Sequence, residues 1–210
     1  MGVRDGPELQ KELGPAREPR IIVFMALVVA FVERLKRDED EAWNELVNRY
    51  FNRLYRYFRQ LGQDRATSED LTQETLLAAF CNIRRLRNAH ALETWIYRIA
   101  TNRFRREQRR RRPAANPRPP EEGDPPDLGE GVLSDLEHAE VLLAVRRGTQ
   151  KLPRQLREVI VLHYWQGLTL SGVARVVGVP LGTVKNRLHA GLKALESMLQ
   201  ENGYGVTDGS

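Results

Sequence analysis

The chain has one cysteine, Cys81, in 210 residues. A single cysteine excludes an intramolecular disulfide and a cysteine-rich zinc site. Only four histidines are present, and no two of them have the spacing of paired metal ligands. The sequence also lacks a glycine-rich phosphate loop and a nucleophile with a suitable base. We therefore predict no catalytic residue, no metal site and no cofactor, and we expect Cys81 to be buried and inert.

The sequence has no apolar run long enough to cross a membrane. Residues 21–32 (IIVFMALVVAFV) form its most apolar stretch, which is too short to span a bilayer as a helix. No small-residue cleavage pattern follows it, so a signal peptide is disfavoured. We expect a helix that is buried or covered by a partner, without stable membrane insertion.

Charge and proline divide the chain. Lys and Arg exceed Asp and Glu by 33 to 28, and residues 84–112 are especially rich in arginine, which favours a polyanionic partner. Residues 113–131 (PAANPRPPEEGDPPDLGEG) hold almost nothing to bury. The sequence thus predicts an all-α protein: two small helical domains joined by a flexible Pro- and acid-rich linker, in a chain long enough for each domain to bury a core. The predicted segments are an N-terminal extension (1–37), a first domain (38–112), the linker (113–133), a helix-turn-helix domain (134–200) and a tail (201–210).

Residues 41–61 keep their apolar side chains at helical spacing, which predicts a helix facing the core. The stripe consists of Trp43, Leu46, Val47, Tyr50, Phe51, Leu54, Tyr57, Phe58 and Leu61.

The next predicted helix has two distinct faces. Thr67 is expected to cap it, with Asp70 completing a capping box. The inner stripe comprises Leu71, Thr75, Ala79 and Ile83, and the other face comprises Asp70, Gln73, Glu74 and Leu77. An acidic face repels phosphate, so a protein is its better partner.

Residues 92–112 predict a helix with one apolar and one cationic face. The apolar stripe comprises Leu92, Trp95, Ile96, Ile99, Ala100 and Phe104, and the polar face comprises Arg98, Asn102, Arg105, Arg106 and Arg109. Neighbouring arginines without acidic partners repel one another, and phosphates relieve that repulsion. We therefore predict nucleic-acid contact along this face.

The second domain begins with a helix capped by Ser134 and continues with a helix from Pro153, whose inner residues include His163. Residues 169–195 then read as a helix-turn-helix, with Thr169 as cap, Gly178 in the turn and Pro180 opening the second helix. Val184, Leu188, Leu192 and Leu195 are expected to face the core, opposite Lys185, Asn186 and His189. Such a helix fits a DNA major groove.

Three motifs occur in an informative order: SEDLTQETLLAAF at 68–80, ETWIYRIATNRFRREQRRRR at 93–112 and, after the linker, LPRQLREVIVLHYWQGLTLSGVARVVGVPLGTVKNRLHAGLKAL at 152–195. Together they resemble the bacterial RNA polymerase sigma factors of the extracytoplasmic-function (ECF) group. The resemblance implies a cytoplasmic, non-enzymatic subunit that binds core polymerase, directs it to promoters through the −35 and −10 elements and assists promoter melting.

The resemblance also assigns roles to residues. It implies docking on the β′ clamp helices through Asp70, Leu71, Gln73, Glu74 and Leu77. It implies −10 recognition and melting through Arg87, Asn88, Trp95, Arg98, Asn102, Arg105 and Arg106. The second domain would hold the β flap and read the −35 element through Thr183, Lys185, Asn186, Arg187 and His189. An anti-sigma factor is a further candidate partner.

Two departures from the family pattern concern the −35 reader. Basic residues are common in the family at the positions of Ala190 and near Gly191, so we expect one or two phosphate contacts to be missing. Gly172 replaces a better helix former, at a cost of about 1 kcal/mol.

Two other interpretations stay open at this point. A stand-alone regulator would use only the helix-turn-helix, and a general nucleic-acid scaffold would use only the arginines. Neither employs all three motifs and the linker.

Overall fold

The computed structural model describes residues 18–111 and 136–202, and within these ranges the chain is helical without strands. Helix α1 (Glu18–Lys36) lies in the N-terminal extension. The first domain contains α2 (Asp40–Gln60), α3 (Arg65–Asn82) and α4 (Leu92–Arg111); the second contains α5 (Leu136–Lys151), α6 (Arg154–Ile160), α7 (Leu170–Val177) and α8 (Leu181–Glu201). Two 3₁₀ turns, Ile83–Arg85 and Ala89–Ala91, link α3 to α4, and a π-helical turn, Val161–Trp165, continues α6. The predicted all-α fold with a helix-turn-helix is confirmed. The predicted cap at Ser134, the linker and most of the tail lie outside the described residues.

Aromatic side chains from α2 and α4 form the centre of the first domain. Tyr57, Phe58 and Tyr97 are fully buried, and the rings of Tyr57 and Tyr97 meet edge to face with centroids 5.4 Å apart. The Tyr57 hydroxyl lies 2.8 Å from Oγ1 of Thr101, so burial does not leave it unpaired. The stripe predicted for α2 is therefore largely confirmed.

Helix α3 presents its predicted inner stripe to this core, since Leu71, Thr75, Ala79 and Ile83 are all buried. The predicted cap is wrong. The helix begins at Arg65, and the Asp64 carboxylate accepts the backbone N–H of Thr67 at 2.7 Å. Asp64 has an extended backbone and a charge that suits a helix N-terminus, so it caps the helix one turn earlier.

Three residues expected in the interior are exposed. Val47 lies about 100° around α2 from Leu46, which places it outside the buried stripe. In α8 the buried stripe runs through Gly191 instead of Leu192, which is 39% exposed. Cys81 is also exposed, contrary to the expectation of a buried thiol.

Helix α1 contains the apolar segment, and only its C-terminal end is buried. Phe31, Val32 and Leu35 pack into the first domain. Several apolar residues before them face solvent; Leu27, for example, is 62% exposed. The described N-terminal part of this helix is therefore not buried within the chain, and its cover by a partner stays a prediction. No helix in the described ranges is both long and apolar enough to cross a membrane.

The two domains pack against each other. Helix α4 lies between α3 and α7, and α2 contacts α5 and the π-helical turn. Val173, Val176 and Val177 of α7 therefore join the same hydrophobic core as the aromatic residues of the first domain. In the described residues the larger core is therefore shared by both domains, and α4 contacts α3 on one side and α7 on the other. A smaller cluster around Leu152, Ile160 and Leu195 belongs to the second domain alone.

We expect replacement of Gly191 by Leu to destabilise the protein by about 1–3 kcal/mol, because the buried site has no room for a side chain. A Cβ at Gly191 would lie 2.7 Å from Cδ1 of Ile160. Urea unfolding measures the change. Gly182→Leu is the matched control, since a Cβ at Gly182 meets nothing within 4 Å. Equal stability of the two variants would contradict tight packing at Gly191.

Stability should fall in alkaline solution because burial raises the pKa of Tyr57 and of Tyr97. An unfolded tyrosine ionises near pH 10, so these groups contribute stability below about pH 10 that is lost as the pH rises further. Tyr57→Phe should reduce this slope, while losing about 1 kcal/mol at neutral pH with the Thr101 hydrogen bond. Urea unfolding from pH 8 to 11 tests this, and an unchanged slope in the variant would contradict it.

Candidate nucleic-acid interface

The helix-turn-helix is built by two local devices. Oγ1 of Thr169 accepts the backbone N–H of Gly172 at 3.1 Å and caps α7, as predicted. Gly178 ends that helix with φ 76°, a left-handed conformation that glycine adopts at little cost. Pro180 then occupies the N-cap position of α8. These residues set the angle at which α8 leaves the turn.

The first turns of α8 expose the side chains predicted to read DNA. Lys185, Asn186 and His189 are exposed, Thr183 and Arg187 are half-buried, and Val184 is fully buried beneath them. The fully buried Val184 fixes the helix, so the polar residues are held on a rigid support.

The two positions of α8 that depart from the family pattern, Ala190 and Gly191, differ in burial. Ala190 is exposed beside His189, in agreement with a missing surface contact. Gly191 instead packs against Ile160 in the interior. The missing phosphate contacts expected at Ala190 and near Gly191 stay predictions, and Gly191 itself is turned towards α6.

Helix α4 carries a row of exposed polar residues. Arg98, Asn102, Arg106 and Arg109 are exposed, and no carboxylate of the described residues pairs with these three arginines. Cations left without a counter-charge favour binding of phosphate.

Arg105 departs from this pattern. Its Nη2 donates to Oε2 of Glu158 at 2.6 Å, and its Nη1 donates to the carbonyl oxygen of Val177 at 3.1 Å. In this arrangement Arg105 is therefore engaged by the second domain, and its assignment to −10 DNA stays a prediction. The reason is tertiary: α7 covers the side of α4 on which Arg105 lies.

The loop before α4 lies beside the helix-turn-helix. Arg87 and Asn88 are exposed, and Trp95 is half-buried. Oδ1 of Asn88 accepts the N–H of His90 at 3.0 Å, which caps the second 3₁₀ turn. A cleft of about 540 Å³ separates this loop from the second domain, and its walls include Leu86, Trp95, Arg98, Arg175, Val179 and Pro180.

The other face of α3 combines acidic and apolar groups. Asp70, Gln73, Glu74 and Leu77 are exposed, and Leu77 is 64% exposed. Leu71, which was grouped with them, is buried and supports the face from beneath.

Sequence reasoning missed the continuation of this face onto α2. Phe80 is exposed, and its ring lies 4.8 Å from that of Trp43, centroid to centroid. Val47 is also exposed. Phe80 stands three residues after Leu77, a spacing that could have placed it on the same face.

Comparison with protein families identifies the arrangement. Residues 46–114 match the family model for sigma-70 region 2, and residues 142–195 match the model for sigma-70 region 4. The chain belongs to the ECF group of sigma-70 factors. The sigma factor thus contains the polymerase-binding region and the DNA-binding region of a transcription initiation factor.

Relatives cover most of the sigma factor. The ECF RNA polymerase sigma factor SigW of Bacillus subtilis is 29% identical over 179 residues, which span 81% of this chain and 95% of SigW. SigE of Mycolicibacterium smegmatis is 31% identical over 162 residues, or 77% of this chain and 63% of SigE.

Two solved structures share the fold. The structure of CnrH with the cytosolic domain of CnrY has a TM-score of 0.61 at 24% identity and covers 82% of this chain and 97% of that one. The sigma factor RpoE of Bartonella quintana, crystallised with the anti-sigma factor NepR, has a TM-score of 0.57 at 21% identity, covering 75% and 96%.

Proposed function

We propose that this sigma factor divides its work among three surfaces. The face of α3 that carries Asp70, Gln73, Glu74 and Leu77 docks on the β′ clamp helices of core polymerase. The exposed row on α4 and the preceding loop engage and open the −10 element. The first turns of α8 read the −35 element, and the second domain also holds the β flap. The protein works in the cytoplasm, where polymerase and promoters meet, without catalysing a reaction itself.

The observation that carries this proposal is the separation of charge on adjacent helices. The acidic face of α3 adjoins the cationic row of α4, and the Glu74–Arg103 ion pair, with atoms 3.4 Å apart, marks their border. A phosphate backbone is attracted to one face and repelled by the other. Each face therefore suits a different class of partner, DNA for α4 and protein for α3.

The docking surface is larger than the acidic residues alone. Leu77 and Phe80 place apolar groups beside Glu74, and Trp43 and Val47 extend them across α2. Apolar anchors bordered by charge are typical of protein interfaces. We include these side chains in the proposed polymerase contact. An anti-sigma factor is a further proposed partner, since a structural neighbour was crystallised with one.

Addition of the sigma factor to core polymerase should produce run-off transcripts from a subset of promoters, because the three surfaces together locate and open the DNA. Promoters selected by sequencing of bound genomic fragments supply the templates. Failure to bind core polymerase together with absence of transcripts would reject the proposal. Tight, sequence-specific operator binding without polymerase would favour a stand-alone regulator.

Asp70→Ala combined with Glu74→Ala should weaken core binding by roughly tenfold, which corresponds to about 1.4 kcal/mol, because two interface charges are lost. Folding should be kept, since both side chains are exposed and the Glu74–Arg103 pair is too exposed to stabilise strongly. Fluorescence titration against core polymerase and thermal unfolding measure the two effects.

Lys185→Ala should change promoter use while core binding is kept. A lost phosphate contact lowers the slope of log affinity against log salt by about 1, and a lost base contact costs about 1–3 kcal/mol at one base pair. Lys193→Ala is the matched control, because Lys193 is exposed on the same helix two turns further along. If the α3 pair altered promoter choice and Lys185 altered core binding, the proposed division of work would be wrong.

A further inference from the structure

The packed arrangement covers one side of the helix that is proposed to contact the −10 element. Helix α7 and the turn after it lie along α4, next to Trp95, Arg98 and Arg105. DNA that follows the cationic row must share this side with the second domain. The contacts that hold the two domains together therefore affect whether DNA can reach α4.

Several of these contacts have a common chemistry: side chains of one domain donate to carbonyl groups at helix ends of the other. Arg105 donates to Val177, the last residue of α7. Arg53 donates to the carbonyl of Gln166, which ends the π-helical turn, at 3.3 Å. Terminal carbonyls have no partner within their own helix and carry partial negative charge, so cations stabilise them.

The reverse contact runs from the second domain to the first. Nη1 of Arg157 donates to the carbonyl of Leu61, the C-cap of α2, at 2.8 Å. Gly62 follows with φ 87°, and a Cβ there would lie 3.0 Å from Nη1 of Arg157. A side chain at position 62 would therefore crowd this arginine, and the positive φ itself favours glycine there.

Gln166 joins the domains through its side chain as well. Its Oε1 accepts from the hydroxyl of Tyr97 at 2.6 Å, and its Nε2 donates to Oε1 of Gln60 at 2.9 Å. With the Arg53 contact, one residue of the second domain is tied to α2 and α4. All of these bonds must break together when the domains separate.

Glu158 is the charged centre of the interface. Its side chain is 2% exposed. Arg105 donates to Oε2 at 2.6 Å and to Oε1 at 3.4 Å, and Nε of Arg154 of its own helix lies 3.6 Å from Oε1. A buried carboxylate is stable only when it is paired, and loss of one partner leaves an uncompensated buried charge. The pair with Arg105 joins the two domains directly.

We propose that the packed form is an autoinhibited state in which Glu158 occupies Arg105 and holds the second domain across α4. Opening of the domains exposes Glu158 to water and frees the Arg105 guanidinium for a phosphate of promoter DNA. Glu158 and DNA compete for the same cation, so one contact closes the free protein and the other stabilises the bound one. The competition with DNA rests on the proposed function, whereas the closed state does not.

Closure of the two domains can be measured with fluorescent labels on the 210-residue chain, because Cys81 is its single cysteine and is exposed. A Ser197→Cys change on the exposed surface of α8 adds a second label site. Single-molecule energy transfer between donor and acceptor on these cysteines then measures the open fraction without polymerase. We expect Glu158→Gln to raise the open fraction about tenfold, since Arg105 loses its anion. Circular dichroism establishes that the helices persist.

Glu33→Gln is the control for loss of one carboxylate. Among the described residues Glu33 pairs with Lys36 of its own helix, at 2.9 Å. Its replacement should therefore leave the open fraction unchanged. If Glu158→Gln and Glu33→Gln gave the same open fraction, the proposal would be overturned.

A charge swap separates closure from DNA contact. Arg105→Glu with Glu158→Arg should restore the closed fraction lost in Glu158→Gln, since the ion pair is rebuilt and the half-exposed Arg154 can turn to solvent. Promoter binding by its holoenzyme should fall about tenfold, because position 105 now repels phosphate. If the charge-swapped variant had an open fraction as high as that of Glu158→Gln, the Glu158–Arg105 ion pair would not be the contact that holds the domains closed. Unchanged promoter binding would contradict the competition, and absence of transcripts with the unaltered protein would instead reject the proposed function.

Discussion

Unpaired carbonyls at helix ends are the constraint on which the packed arrangement depends. Each helix leaves its last carbonyl groups without partners, and several helices here end at the boundary between the domains. Arg105, Arg53 and Arg157 reach across that boundary to the carbonyls of Val177, Gln166 and Leu61. Each of these hydrogen bonds removes a cation from the exposed surface and holds one domain against the other.

This constraint explains why the arginines of α4 have unequal surroundings. Residues on the far side of the helix keep exposed, uncompensated charge, which suits a phosphate backbone. Arg105 lies towards α7, where low dielectric surroundings and the buried Glu158 strengthen its pairing. One helix therefore supplies both an exposed cationic row and an interdomain contact, and the angular position of each residue around the helix determines which of the two it joins.

The exposed surfaces follow from the same packing. Because α4 and α2 bury their aromatic side chains together, the opposite side of α3 is left to present acidic and apolar groups. In α8 the small Gly191 lets the helix approach Ile160, and the polar residues of its first turns then face outwards. The helical packing therefore keeps surfaces of opposite charge on separate faces of one small chain.

The sequence by itself determined the elements whose causes are local: the amphipathic stripes of α2, α3 and α4, the Thr169 cap, the Gly178 turn and the order of motifs. Helical periodicity and turn chemistry act over a few residues, so they can be read without coordinates. Only the tertiary structure decided that Gly191 faces inwards, that the Phe80 ring meets Trp43 of α2 and that Arg105 meets Glu158. These outcomes depend on which helix passes each position, and Arg105 and Glu158 are 53 residues apart, beyond the reach of any local pattern.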